Sequence, residues 1–215
     1  MKSRHGIVFG LGLSLLLLVG CSSAYYSAYE KFGVHKRDLL KKRVVAARDD
    51  QKEAGEQFKD ALTRIKELYG FDGGDLEKVY DSLKSDFDRS STKAEDVRKR
   101  VKEVESVAND LFAEWEKEIK DISSASLQSK SRDQLRDTRN RYEDLHQALK
   151  RAENSMEPVL TQFRDQVLFL KHNLNAQALS SLQKEALNIQ DDISKLLTEM
   201  DRSIREADSF IKALP

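Results

Sequence analysis

The chain of 215 residues contains one cysteine, Cys21, two prolines and no glycine after Gly74. A lone cysteine excludes an intrachain disulfide, so the fold has to be stabilised by its core alone. The scarcity of proline and the absence of late glycines remove the residues that most often interrupt helices. Lys and Arg together number 37, as do Asp and Glu, so the net charge is zero. A neutral chain gives no electrostatic reason to expect binding to nucleic acid.

The first twenty residues have the composition of a secretory signal. A start containing Lys2 and Arg4 precedes an apolar run of about 13 residues that ends at Val19. This run is too short to cross a bilayer comfortably, since a membrane span needs about 20 apolar residues. The four residues that end at Cys21, Leu-Val-Gly-Cys, resemble the lipobox of bacterial lipoproteins. A plain signal peptide or signal anchor with a chance cysteine is the alternative.

The lipobox resemblance implies that residues 1–20 are removed as a signal peptide and that Cys21 is lipidated. Residues 21–24 would then form a short tether, and residues 25–215 a single helical domain. The first twenty residues carry two basic and no acidic side chains, so the mature chain would have a net charge of −2. In the lipoproteins of enteric-type bacteria, serine after the cysteine allows export to the outer membrane. Ser22 therefore predicts an anchor in the outer membrane, facing the periplasm.

Apolar residues recur every three or four positions along most of the chain after Leu40. From Ala94 to Trp115 these steps alternate without interruption, which is the heptad pattern of a helical seam. The same register predicts that Trp115 packs in a core. No segment after Cys21 alternates apolar and polar residues over a useful length. The pattern predicts an all-α fold with no sheet.

Three breaks divide the pattern, at residues 70–74, 123–126 and 172–175. Asp75 is predicted to cap the second helix. A capping box formed by Ser131 and Gln134 is predicted to start the third helix, with Asn175 as a plausible cap of the fourth.

Two further signals lie inside the helices. Thr92 with Glu95 forms a possible capping box that predicts a local loosening of the second helix. Pro158 stands within the third helix, where the apolar pattern keeps its frame, so we expect a kink and not a stop.

The resulting segments have about 38 to 48 residues, roughly 60–70 Å of helix each. Each carries one narrow apolar stripe, which a helix cannot bury alone. Joined by short turns, they predict an elongated antiparallel up-down bundle of about four long helices. A dimer of helical hairpins would use the same stripes, so both assemblies remain open at this point.

Three segments also resemble a known family: residues 25–38, residues 71–74 and residues 169–178. They are similar to a family of Gram-negative bacterial lipoproteins, rich in coiled coil and defined only as a domain of unknown function. The resemblance implies an envelope protein and implies no activity. The chain has no Gly-x-x-x-x-Gly-Lys-Ser/Thr motif, so no nucleotide is expected as a partner.

One motif could support catalysis. Glu143 and His146 have the Glu-x-x-His spacing of di-metal carboxylate bundles. That chemistry needs a second such motif, and no other histidine has a glutamate three residues earlier. We therefore expect no metal, no cofactor and no enzymatic activity. A di-metal enzyme is the least favoured reading.

Two groups of residues are candidate contact sites. Aromatic side chains, which favour membrane interfaces, follow the lipobox at Tyr25, Tyr26, Tyr29 and Phe32. Basic side chains, which favour anionic headgroups, come next at His35, Lys36, Arg37, Lys41, Lys42 and Arg43. Alternatively, these aromatics begin the bundle core and the charges form a solvated face. At the third break, His172, Asn173 and Asn175 can cap helix ends or meet a partner.

These observations predict a membrane-anchored periplasmic scaffold that contacts an envelope protein or a second copy of itself. A bundle that binds a lipid or another ligand is the alternative. It would need a cavity, and the large aliphatic residues of the seams argue mildly against one.

Overall fold

A computed structural model describes residues 35–67 and 75–214, which form four long helices. They are α1 (Lys36–Glu67), α2 (Leu76–Asp121), α3 (Ala125–His172) and α4 (Ala176–Ala213). No strand occurs in either described range. The predicted all-α class is confirmed. None of the four helices has the combination of length and apolar character needed to span a membrane.

The helices run up and down around one core. Helix α1 packs against α2 and α4, and α3 packs against the same two helices. Pairs between α1 and α2 show the antiparallel direction: Lys36 meets Glu114, whereas Arg64 meets Asp86. The contact between α1 and α4 closes the bundle within one chain.

This topology gives the bundle two distinct ends. The start of α1, the end of α2, the start of α3 and the end of α4 lie together, and we call this the terminal end. The end of α1, the start of α2, the end of α3 and the start of α4 form the far end. Residues 21–34 precede α1, so the chain enters the bundle at the terminal end.

The predicted seam forms the core. Val97, Val101, Val104 and Ala108 of α2 are fully buried. Phe87 contacts Phe163 edge-on, with ring centroids 5.8 Å apart. Trp115 is half-buried against the same core, and its Nε1 donates a hydrogen bond of 2.9 Å to Ser131 Oγ.

The helix boundaries agree with the sequence at two breaks. Asp75 caps α2, its carboxylate accepting a hydrogen bond of 3.3 Å from the Lys78 backbone N–H. Residues 122–124 separate α2 from α3, and residues 173–175 separate α3 from α4. The break predicted at residues 70–74 lies outside the described residues.

Two local expectations are wrong. With Ser131 as its cap, α3 was expected to begin at Arg132, but it begins seven residues earlier, at Ala125, with Ser124 as its cap. Ser131 lies within the helix, and its hydroxyl accepts a hydrogen bond from Trp115 instead of capping. Helix α2 continues unbroken through Thr92, whose hydroxyl donates to the Asp88 carbonyl one turn earlier. A capping sequence inside a packed seam is overridden by burial of the seam. Helix α3 passes through Pro158 without stopping, as expected, and the kink at this residue stays a prediction.

Candidate functional site at the far end

Three large apolar side chains are exposed within seven residues at the far end. Leu168 and Phe169 lie in the last turns of α3 and are 47% and 40% exposed, and Leu174 in the following connection is 46% exposed. We call these three residues the far-end patch. Leu127 and Leu187 are also exposed, and both stand apart from the patch in sequence. Clustered exposed apolar residues mark contact surfaces more often than single ones do.

The helical period explains why the far-end patch faces outward. Val167 and Leu170 are buried and define the inner face of α3 at this point. At 100° per residue, the two positions between them must point away from the core. The sequence analysis does not predict this patch. The signal that identifies it is a pair of large apolar residues lying between two seam positions.

Asn173 ends α3 beside the patch. Its backbone N–H donates to the Leu170 carbonyl at 3.1 Å, and its side-chain Nδ2 donates to the Phe169 carbonyl at 2.9 Å. Two of the carbonyls left without partners by the end of the helix are thereby satisfied. The amide of Asn173 is therefore engaged in capping and holds the backbone that carries Phe169.

The two other polar residues predicted here lie next to this cap. His172 is the last residue of α3 and is exposed. Asn175 directly precedes α4, and its backbone N–H donates to the Asn173 carbonyl at 2.8 Å. The structure thus brings His172, Asn173 and Asn175 together at one turn, beside the far-end patch. A role for them in binding a partner stays a prediction.

Polar contacts join neighbouring helices close to the far end. Gln162 Nε2 of α3 donates to Asp192 Oδ2 of α4 at 2.6 Å, and this hydrogen bond, with one from Lys195, lowers the pKa of Asp192. The buried carboxylate of Asp86 accepts from Arg64 Nε of α1 at 3.1 Å and also pairs with Arg89. A buried carboxylate is stable only when it is paired in this way.

Glu143 and His146, the residues of the predicted di-metal motif, contact neighbouring side chains. The His146 ring stacks on Tyr142 with centroids 5.6 Å apart, and its Nε2 lies 4.0 Å from Glu105 Oε2. Glu143 Oε1 accepts a hydrogen bond of 3.3 Å from Gln147. Burial raises the pKa of the Tyr142 hydroxyl. No group of three or more His, Cys, Asp or Glu side chains suited to a metal is found in residues 35–67 and 75–214.

Replacing Glu143 and His146 together by alanine is expected to change the melting temperature by no more than a few degrees. His146 loses a stacking contact and Glu143 a weak surface hydrogen bond, which together contribute about 1 kcal/mol. Iron and manganese content of the native protein should be the same before and after the change. Stoichiometric metal that disappears in the double variant would contradict the expectation.

The residues predicted to contact the membrane divide between described and undescribed parts of the chain. Cys21, Tyr25, Tyr26, Tyr29 and Phe32 lie outside the described residues. Among the basic residues, Lys36 pairs with Glu114 at 2.9 Å and Arg43 with Glu103 at 3.0 Å, while Arg37, Lys41 and Lys42 are exposed. Acidic side chains of α2 thus neutralise part of the basic segment.

A cleft of about 590 Å³ opens at the terminal end. Leu111 and Trp115 of α2 and Leu214 give it apolar walls, and His35 and Arg37 line it from the side where the chain enters. Both charge signs are present, since Glu114 and Glu118 also line it. The cleft is therefore an amphipathic surface at the terminal end, where residues 21–34 lead into α1.

The fold and the far end define an all-α protein, an antiparallel four-helix bundle with an exposed apolar patch at one end. The chain belongs to the family described as "Protein of unknown function (DUF2959)", which matches residues 25–214. This confirms the resemblance to a family of unknown function seen in three segments of the sequence. No curated protein and no solved structure matches the chain.

Proposed function

We propose that the protein is a lipid-anchored periplasmic scaffold, held to the membrane at its terminal end and binding an envelope protein through its far end. The sequence supports the anchor through the lipobox at Cys21. The structure supports the scaffold through the separation of its two ends. Helices α2 and α3 have 46 and 48 residues. The start of α1 lies level with Thr138 of α3, because Lys36 pairs with Glu114 and both line a cleft with Thr138. About 30 residues of α3 lead from Thr138 to Leu168, so at 1.5 Å per residue the far-end patch lies roughly 45 Å from the point where the chain enters the bundle.

One observation carries the proposal: the far-end patch is exposed at the end opposite the proposed anchor. A bundle whose only task was to fold could carry polar side chains at these positions with little change in stability, and clustered exposed apolar residues more often mark a contact surface. Leu168 and Phe169 are instead presented on a helix end whose backbone Asn173 holds in place. A partner protein with an apolar surface of its own fits this end. The partner could also be a second copy of this chain, which would make the contact a self-association.

The proposal includes no catalysis, cofactor, nucleotide or nucleic acid. A ligand- or lipid-binding bundle is the second candidate, and the cleft beside Trp115 favours it. The cleft is open and lies at the terminal end, close to where the proposed anchor would hold the chain. Binding of a membrane lipid there would strengthen anchoring and would be compatible with a scaffold.

Replacing Leu168 and Phe169 together by serine is expected to abolish chemical crosslinking to a partner in intact envelopes. Both side chains are exposed, so the free energy of unfolding should change by less than about 1 kcal/mol. Leu127→Ser is the matched control, because Leu127 is 58% exposed but lies at the start of α3, near the other end. It should leave crosslinking unchanged. Equal loss in both variants, or no loss in either, would contradict a far-end contact.

A further inference from the structure

A second cleft, of about 540 Å³, lies between α2 and α3 close to the turn that joins them. Four of the eight residues that line it carry a positive charge, so we call it the basic cleft. These residues are Lys120 of α2 and Arg132, Arg136 and Arg139 of α3. The three arginines follow one another at steps of four and three residues, which places them along one stripe of α3. Glu116 is the acidic residue among the eight.

Two of the four cations pair with carboxylates of the protein itself. Arg139 Nη1 lies 2.6 Å from Glu116 Oε1. Arg136 pairs with Asp133 at 3.0 Å, and its Nε lies 3.8 Å from Asp137 Oδ1, both on its own helix. These five side chains are 42% to 66% exposed. Ion pairs as exposed as these contribute little to stability, so they balance charge without closing the cleft.

Lys120 and Arg132 are the two other cations of the basic cleft. Within the described ranges, neither side chain lies within ion-pair distance of a carboxylate. Arg132 Nη2 donates a hydrogen bond of 2.8 Å to Gln128 Oε1, which carries no charge. Both Lys120 and Arg132 are exposed, so an anion can reach them from solvent without opening the fold. The cleft therefore presents two positive charges without a carboxylate partner, one from each of its two helices.

The basic cleft lies close to the point where the chain enters the bundle. Lys36 at the start of α1 pairs with Glu114, and the α2 residues of the cleft follow Glu114 by two to six positions. At 1.5 Å per residue the cleft lies less than about 10 Å beyond that point, towards the α2–α3 turn. Residues 21–34 can span at most about 50 Å even when fully extended. A lipid on Cys21 would hold the cleft within roughly that distance of phospholipid headgroups.

We propose that the basic cleft binds the phosphate group of an anionic phospholipid, in the membrane that carries the anchor. The guanidinium of Arg132 can donate two parallel hydrogen bonds to a phosphate, and the Lys120 ammonium adds a positive charge from the other helix. A headgroup is favoured over a free anion because the anchor keeps the cleft beside a surface dense in phosphates. The inference rests on the proposed anchored scaffold and adds a second membrane contact, which restricts the orientation of the bundle.

The test uses the full-length protein purified from membranes in a neutral detergent, with bound lipids counted by native mass spectrometry. The probe is dihexanoyl phosphatidylglycerol, an anionic lipid with short chains. Dihexanoyl phosphatidylcholine has the same chains and a phosphate but no net charge, so it is the lipid control. We expect phosphatidylglycerol to bind at least about tenfold more tightly, because two unpaired cations attract its charge. Replacing Lys120 and Arg132 together by glutamine should lower its affinity by at least about tenfold.

Replacing Lys117 and Lys130 together by glutamine is the matched control. Both lysines are exposed on the same two helices and their loss removes the same charge, but neither lines the basic cleft. This variant should bind phosphatidylglycerol within about twofold of the wild-type affinity, since charges outside the cleft are screened by salt. Both double variants replace exposed side chains only, so both should melt within about 3 °C of the wild type.

Three results would overturn the inference. Absent or equal binding of the two lipids would show that the charge of the headgroup does not select the ligand. Equal loss of affinity in the two double variants would show a general effect of net charge. Displacement of the lipid by an equal concentration of sodium phosphate would show a site for a free anion. The scaffold proposal is tested separately, because a soluble lipid in detergent binds independently of lipid on Cys21 and of Leu168 and Phe169.

Discussion

Val101→Asp and Ile193→Asp are each expected to destabilise the bundle by about 3–5 kcal/mol. Both side chains are fully buried, Val101 in the α2 seam and Ile193 in the α4 seam. A carboxylate at either position would be buried away from water without a basic partner, so it must remain protonated or force the helices apart. Chemical denaturation followed by circular dichroism at the helical band measures the change.

Ser106→Asp is the matched control for this prediction. Ser106 lies in the same helix as Val101 and is exposed. A carboxylate there remains in water, so the free energy of unfolding should change by no more than about 0.5 kcal/mol. If Val101→Asp unfolds at the same denaturant concentration as Ser106→Asp, Val101 does not lie in a core and the bundle register is wrong.

Cys21→Ala is expected to abolish attachment to the membrane through lipid. Burial of an acyl chain contributes about 0.8 kcal/mol per methylene, and one chain alone gives only marginal binding. The three chains that lipoproteins carry would make attachment effectively permanent. Without the thiol, the protein should accumulate as an uncleaved precursor or appear in the soluble fraction, and radiolabelled fatty acid should no longer be incorporated.

The control for Cys21→Ala is Ser23→Ala, which leaves the residues of the lipobox and Ser22 intact. It should keep both the label and the membrane attachment. Incorporation of fatty acid into Cys21→Ala at the wild-type level would show that the lipid is carried elsewhere or that the label is not covalent.

The sequence predicted the helices well because each has a long, regular stripe and the breaks between them are polar. Asp75 could be identified as a cap because an apolar seam starts one residue later. The start of α3 could not be placed correctly. Ser131 has the spacing of a capping box, but its hydroxyl accepts from Trp115, and only tertiary structure shows that partner.

The candidate contact sites were less predictable. A stripe does not show which stripe it meets, so one closed bundle and a dimer of hairpins fitted the sequence equally; packing of α1 on α4 shows the chain closing on itself. Exposure of Leu168 and Phe169 follows from the helical period, but only once their neighbours are known to be buried.

The central claim of the proposed function is that the scaffold is anchored through lipid. The most direct test is to measure the intact mass of the native protein after the membranes of the envelope have been separated. The account predicts a chain that begins at Cys21, carries the added mass of a diacylglycerol and an acyl group, and sediments with the outer membrane. Ser22→Asp should move the protein to the inner-membrane fraction without changing its mass. An unmodified chain that retains residues 1–20, or an unmodified soluble chain, would contradict the account.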